Sequence, residues 1–153
     1  MSGDVDKVQW LYDVECIKQL KHQYCAACDD NYNPDGIARL FTEDGVWDGG
    51  NMGIAEGRDG IKKFFANVPE IVDFAIHSVT NPIIEINGDE ATGSWKLWQP
   101  MVYKDGATIW YAAEYEERYV RTDEGWRFRS LKLEAKMHSP YEDGFGKTRF
   151  NNL

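Results

Sequence analysis

The hydrophobic period of this chain changes once, at Pro69, and that change restricts the fold more than any other feature. Before it, apolar residues recur at spacings of three and four. Val8, Leu11, Val14, Ile17, Leu20, Tyr24 and Ala27 predict one long helix from Val8 to Cys28 with a single buried face. Asn33-Pro34 reads as an N-cap with proline in the first turn, opening a short helix through Ile37, Leu40 and Phe41. Glu43-Asp44-Gly45 ends it, and Val46-Trp47 begin a short strand. The run Gly49-Gly50-Asn51-Met52-Gly53 predicts a loop, after which Gly57-Arg58-Asp59-Gly60 leads into a third helix carrying Ile61, Phe64, Phe65 and Val68.

Beyond Pro69 the period is two. Asn87-Gly88-Asp89, Lys104-Asp105-Gly106 and Asp123-Glu124-Gly125 are turn signals, and they separate strands expected near 71–86, 90–103, 107–121 and 126–137. Helices followed by an antiparallel meander make an α+β chain. The sheet is expected to curve into a cone with the helices across its mouth, enclosing a pocket lined by alternating side chains. Residues 1–153 read as one domain with a core over about 8–138. The tail from Ser139 to Leu153 reads as irregular, either covering the pocket mouth or fraying.

Charge and length restrict the partners. A formal net charge of −9 and the lack of a large lysine and arginine cluster argue against nucleic acid. No apolar run approaches the ~18 residues that cross a bilayer, so no membrane span is expected. Three cysteines, an odd number, and the lack of a signal-like start at Met1-Ser2-Gly3-Asp4 point to a reduced, cytoplasmic setting. Aromatic residues make up 14% of the chain and crowd its second half, where they form either core or the lining of a cavity.

His77 lies within the apolar run Phe74-Ala75-Ile76-His77-Ser78-Val79. It is either a satisfied core histidine or part of a proton-transfer site, in which a carboxylate fixes one ring nitrogen and leaves the other free to act as a base. Asp29 and Asp30, at the end of the first helix, offer that carboxylate. Tyr24 offers a phenol that would hydrogen-bond a substrate oxygen, but it lies about 140° round an ideal helix from Asp29. Cys25-x-x-Cys28 has no second pair, so small buried side chains are preferred over a metal or redox site, and no metal is expected. His22 reads as solvated, while His138, at the end of the last strand, flanks the pocket. No phosphate-cradling glycine loop, dinucleotide-binding frame or Gly-x-Ser-x-Gly elbow occurs, so no cofactor is expected.

Several phrases together resemble a family: Ile17-Lys18-Gln19-Leu20-Lys21-His22-Gln23-Tyr24, Asp29, Leu40-Phe41-Thr42-Glu43-Asp44-Gly45-Val46-Trp47, Gly57-Arg58-Asp59-Gly60-Ile61, His77-Ser78-Val79-Thr80-Asn81-Pro82 and Gly125-Trp126-Arg127-Phe128. Across roughly residues 8–138 the chain is similar to the SnoaL-like and scytalone dehydratase-like branch of the nuclear transport factor 2-like superfamily. The resemblance implies a cystatin-like α+β barrel with a deep pocket. Relatives such as scytalone dehydratase, bile-acid 7α-dehydratase and hexachlorocyclohexane dehydrochlorinase remove a proton with a strand histidine and a helix-end aspartate. Those two fall on His77 and Asp29, and the helix tyrosine of the dehydratases falls on Tyr24.

The expected lining is Trp47, Phe65, Trp95, Trp98, Tyr111, Tyr115 and His138. Two positions depart from the relatives: the further aspartate of the bile-acid enzyme meets Gln99, and its late-strand arginine has no counterpart near Ala135. The leaving-group arginine of the dehydrochlorinase would fall on Arg118 or Arg121. The implied function is a cofactor-independent lyase acting on a bulky aromatic or polycyclic hydroxylated compound, by dehydration or by retro-aldol-like C–C cleavage, as in deformylation of a lignin-derived diaryl compound. A non-catalytic ligand-binding or assembly module and an isomerase or cyclase are the alternatives on the same fold. Relatives also imply a homo-oligomer, trimer or dimer, formed if an outer sheet face carries aromatics such as Trp110 or Trp126.

Overall fold

The structure, a computed structural model, describes residues 2–151, with side chains from residue 6 onward. Residue 1, where the reading of the N-terminus begins, and residues 152 and 153 of the tail lie outside the described residues. The first helix, α1, spans Ser2–Asp29. Its buried stripe is Asp13, Ile17, Leu20, Lys21, Tyr24, Cys25 and Cys28. Val8 and Leu11, expected on that stripe, are exposed together with Trp10 and Tyr12. The reason is the extent of the sheet: Arg121 and Trp126, beside its last hairpin, grip Asp13, and the helix before Asp13 projects past them.

The short helix α2 covers Pro34–Ala38, and the side chain of Asn33 caps it by accepting from the Gly36 N–H at 3.0 Å. It ends earlier than expected. Phe41 already belongs to β1, Phe41–Asp48, because Phe128 N–H donates to Leu40 O at 2.9 Å and the two phenylalanine rings pack 5.1 Å apart. The run Glu43-Asp44-Gly45, read as a helix end, is instead an irregularity inside β1, where pairing jumps from Phe41↔Phe128 to Val46↔Ser130. A 3₁₀ turn at Gly50–Met52, β2 (Ile54–Glu56) and α3 (Gly57–Asn67) follow, and Pro69 lies in a second 3₁₀ turn.

The meander is β3 (Val72–Ala75), β4 (Ser78–Asn87), β5 (Glu90–Tyr103), β6 (Thr108–Thr122) and β7 (Gly125–Pro140), ahead of a single-turn helix α4 (Gly144–Lys147). All three expected turns occur; at the first, Gly88 takes φ 66°, which a residue with a Cβ rarely adopts. The curved, unclosed sheet has seven strands in the order β2-β1-β7-β6-β5-β3, with β4 also on β5. It is antiparallel except where β1 joins β7 in parallel. Register shifts in β4 after Thr80, and between β6 and β7 at Ala112/Ala113 and Arg118/Tyr119, bend it around α1.

Alternation sorts the long strands into two faces. Trp95, Leu97, Gln99 and Met101 of β5, with Tyr111, Tyr115, Glu117 and Tyr119 of β6, point inward. The side chain of Gly93 is missing for a reason: a Cβ there would lie 2.7 Å from the Tyr119 hydroxyl. On the opposite face Trp98 stacks on Trp110, which meets Tyr141. Two grooves of about 470 and 580 Å³ lie by the β4–β6 strands, the first among Ile83, Ser94, Arg118 and Lys132, the second beside Asn87 and Val120. No described helix is long and apolar enough to cross a membrane.

Asp13 is 2% exposed and receives a two-pronged guanidinium from Arg121 (2.7 and 2.8 Å) and the Trp126 indole N–H (3.1 Å). These donors, Arg121 first, hold its carboxyl down at about 2, below the ordinary 3.8. A depressed carboxyl contributes stability above its unfolded value and loses it as pH falls toward the folded one. Denaturant unfolding of the protein and of Asp13→Asn should therefore show a stability gap that is full above about pH 4 and closes toward about pH 2.

Candidate active site

The end of α1 builds the site. After Asp29 the chain leaves the helix through Asn31 and Tyr32, both left-handed at φ 51° and 53°. Tyr32 N–H returns to Cys28 O and Asn33 N–H to Ala27 O, each at 2.9 Å, so carbonyls of the last turn find donors. A left-handed residue other than glycine costs about 1–2 kcal/mol, tolerable for Asn31 but unusual for an aromatic. Tyr32 is held there by its ring, which stacks on Phe65 of α3 (6.2 Å, 14°) and meets His77 edge-on (5.7 Å, 82°).

His77 itself lies in the break between β3 and β4, so the strand expected over 71–86 is two strands. Pro100 of β5 explains the break. Ile76 N–H donates to Pro100 O at 3.2 Å, and proline has no N–H with which to return the second ladder bond. The freed His77 N–H turns to Asp29 Oδ1 at 2.9 Å, and the same oxygen lies 2.7 Å from His77 Nδ1. Two bonds to one carboxylate oxygen fix both the backbone and the ring. The His77 side chain is 6% exposed and that of Asp29 33%. His77 Nε2 has no protein partner among the described residues and is not sealed either: the only buried, unpaired side-chain nitrogen or oxygen among them is Arg127 Nε. Asp30, the alternative partner, instead accepts from Asn33 Nδ2.

Tyr24 does not join this pair. It is buried among Phe41, Tyr115 and Phe128, and its hydroxyl accepts the Trp47 indole N–H at 2.9 Å. Ring contacts run from Trp47 to Phe65 (5.1 Å), then to Tyr32 and His77, which puts Tyr24 at the far end of that chain. The phenol beside His77 is Tyr32, missed in the sequence. The local signal for it is the Asn31-Tyr32-Asn33-Pro34 run that must leave the helix directly after Asp29.

Of the expected lining, Phe65 and Trp47 lie in this chain of rings. Tyr111 and His138 meet edge-on at 6.0 Å on the inner face, where Tyr103 Oη also lies 3.0 Å from His138 Nε2. Trp95 and Tyr115 fill the other end of the interior: Trp95 donates to Tyr119 Oη at 3.1 Å, and Tyr115 lies under the Lys21 ammonium, 3.1 Å from the ring centroid. Trp98 is on the outer face, 42% exposed and stacked on Trp110. Trp126, expected outside, is buried against Asp13. Arg121 is committed to Asp13 and Asp89, and Arg118 lines the outer groove, so neither reaches His77.

Burial, with acidic and phenolic neighbours, raises the Tyr32 hydroxyl well above 10 and pushes Tyr111 up to about 12; burial and Asp105 raise Tyr103. These phenols stay protonated and act as donors. The Gln99 amide lies against the Tyr32 hydroxyl. Burial also pushes the Cys25 thiol up to about 11 and Cys28 higher, so both stay protonated thiols at neutral pH.

The family model of the SnoaL-like domain matches residues 9–132. A candidate aromatic ring hydroxylase from Novosphingobium aromaticivorans is 28% identical in sequence with a TM-score of 0.79, covering 87% of this chain and 96% of its own. A candidate scytalone dehydratase from the same organism is 24% identical, TM-score 0.78, covering 86% and 89%. A hexachlorocyclohexane dehydrochlorinase from Novosphingobium barchaimii is 21% identical, TM-score 0.78, covering 98% and 99%. No curated protein matches the sequence. With the match over most of its length and a nuclear transport factor 2-like, cystatin-like fold, the chain belongs to the SnoaL-like domain family.

Proposed function

We propose that this protein is a cofactor-independent lyase that removes a proton from a bulky aromatic or polycyclic hydroxylated compound. One observation carries the reading: a nearly buried imidazole whose Nδ1 and backbone N–H share one carboxylate oxygen, leaving Nε2 open. His77 Nδ1–H donates to Asp29, which fixes the tautomer and stabilises the imidazolium that forms. Nε2 takes the proton. Tyr32 assumes the role the sequence assigned to Tyr24, placing a protonated phenol beside the base to donate to a substrate oxygen. Phe65, Trp47 and Tyr111 supply flat apolar walls for an aromatic substrate. A candidate scytalone dehydratase and a dehydrochlorinase among the fold neighbours favour elimination, and the free cysteines fit a cytoplasmic setting.

Incubation with hydroxylated diaryl and polycyclic alcohols, followed by mass analysis of the products, tests this. A product lighter by one water, or by one formaldehyde, supports the lyase. Unchanged mass with a new structure selects the isomerase or cyclase, and binding without conversion selects the ligand-holding module. The Trp98–Trp110–Tyr141 face further supports a dimer or trimer, since that much exposed aromatic surface is costly to leave in water. Sedimentation at micromolar concentration should show a species larger than the monomer, and Trp110→Asp should dissociate it; a monomeric wild type contradicts the oligomer.

A further inference from the structure

A second imidazole shares the inner face with the His77 pair and is held as deliberately. The backbone of His138 is clamped by the tail: its N–H donates to Arg149 O at 2.9 Å, and Asn151 N–H donates to its carbonyl at 3.0 Å. The described part of the tail therefore folds back on the last strand; Phe150 bridges to His138 as a short parallel partner. The ring is clamped too. Nδ1 hydrogen-bonds Asn151 Oδ1, a pure acceptor, so Nδ1 carries hydrogen. Nε2 faces Tyr103 Oη at 3.0 Å, with Tyr111 edge-on to the ring.

We propose that Tyr103 and His138 form the acid arm of this site, with Tyr103 meeting the substrate's leaving oxygen, and His138 and Asn151 positioning and recharging it from behind. The proposal rests on the lyase reading above. In a dehydration, His77 Nε2 takes the proton from carbon and that C–H electron pair forms the new double bond. The C–O bond breaks with its pair passing to oxygen, which gains the Tyr103 hydroxyl proton and leaves as water. The Tyr103 oxygen, left as phenolate, then regains a proton that solvent delivers through His138 Nε2, the nitrogen that the Nδ1–H tautomer leaves open to accept it. His77 releases one proton to solvent and Tyr103 recovers one by way of His138, so no oxidant or reductant is needed. Strand register puts Gln99 and Tyr111 between the two imidazoles: His77 sits between Ala75, opposite Met101, and Ser78, opposite Trp98, while Gln99 lies opposite Tyr111 and Tyr111 opposite His138. Base and acid thus reach the reacting carbon and oxygen of one substrate from different elements, and the tail completes the site.

Two measurements test this. Imidazole nitrogen spectra of the substrate-free protein should show neutral His138 as the Nδ1–H tautomer alone. Asn151→Ala should mix the tautomers, and Tyr103→Phe should keep the tautomer while moving the Nε2 resonance. An Nε2–H tautomer in the wild type, or an Nε2 resonance indifferent to Tyr103→Phe, overturns the relay. Turnover is then compared on a β-hydroxy aryl ketone and on the same ketone bearing 4-nitrophenoxide, a leaving group that needs no proton. Tyr103→Phe and His138→Gln should lose at least about 100-fold on the first and only a few-fold on the second, whereas His77→Gln loses both. Equal losses on both probes overturn the acid role. A wild type inert toward both overturns the lyase reading, and the spectra still decide the relay.

Discussion

Replacing His77 with glutamine is expected to lower kcat by about 10²–10⁴-fold on any compound the protein converts, the range that a positioned general base supplies. Glutamine fills a similar volume and its backbone N–H can still reach Asp29, so the fold should survive with little change in denaturation midpoint. Asp29→Asn is expected to be less severe in turnover but clearly impaired. An amide in place of the carboxylate still receives the backbone N–H of His77, yet it no longer stabilises the imidazolium or demands a hydrogen on Nδ1. Tyr24→Phe, by contrast, should change turnover little, because the Tyr24 hydroxyl is occupied by Trp47 at the far end of the ring chain. Kinetics on the three variants with matched circular dichroism check this ordering. Full turnover in His77→Gln would sink the assignment of the base.

The second large effect lies in stability. Lys21 and Glu117 form an ion pair with both side chains wholly buried, Tyr119 donates to the other carboxylate oxygen, and the ammonium rests on the Tyr115 ring. Breaking one side of such a pair strands a charge in the interior, at a cost of about 3–5 kcal/mol. Glu117→Ala is therefore expected to lower Tm by roughly 10 °C for a chain of this size. The double variant Lys21→Met with Glu117→Leu should regain most of that, because neither charge is left unpaired. Calorimetry on the single and double variants decides the matter; a double variant as unstable as the single one would mean the pair itself, not the stranded charge, supplies the stability.

The alternation after Pro69 and its three turns carried the meander with nearly correct boundaries, since both are local consequences of pleat and turn chemistry. The same parity held more than was drawn from it: Trp95 and Trp98 are three apart on one strand and must face opposite sides, so they cannot both line a pocket. Tertiary pairing was invisible locally. Phe41 joins the sheet rather than a helix because Phe128 pairs with it, and the exposed start of α1 follows from where the sheet ends. The contact of Asp29 with His77 spans 48 positions; residue types alone offered Asp29 and Asp30 equally, and the likeness to a family singled out Asp29. Tyr32 escaped because its placement depends on a left-handed backbone that aromatic residues seldom adopt.

The proposed chemistry stands or falls with His77 taking a proton from carbon. The most direct test is a probe carrying deuterium on the carbon adjacent to the one that bears the leaving group, incubated with the wild type and followed by mass spectrometry of product and water. Deuterium should leave the substrate for solvent as product forms, with turnover slowed relative to the undeuterated probe. Product that keeps all its deuterium and forms at an unchanged rate would contradict it.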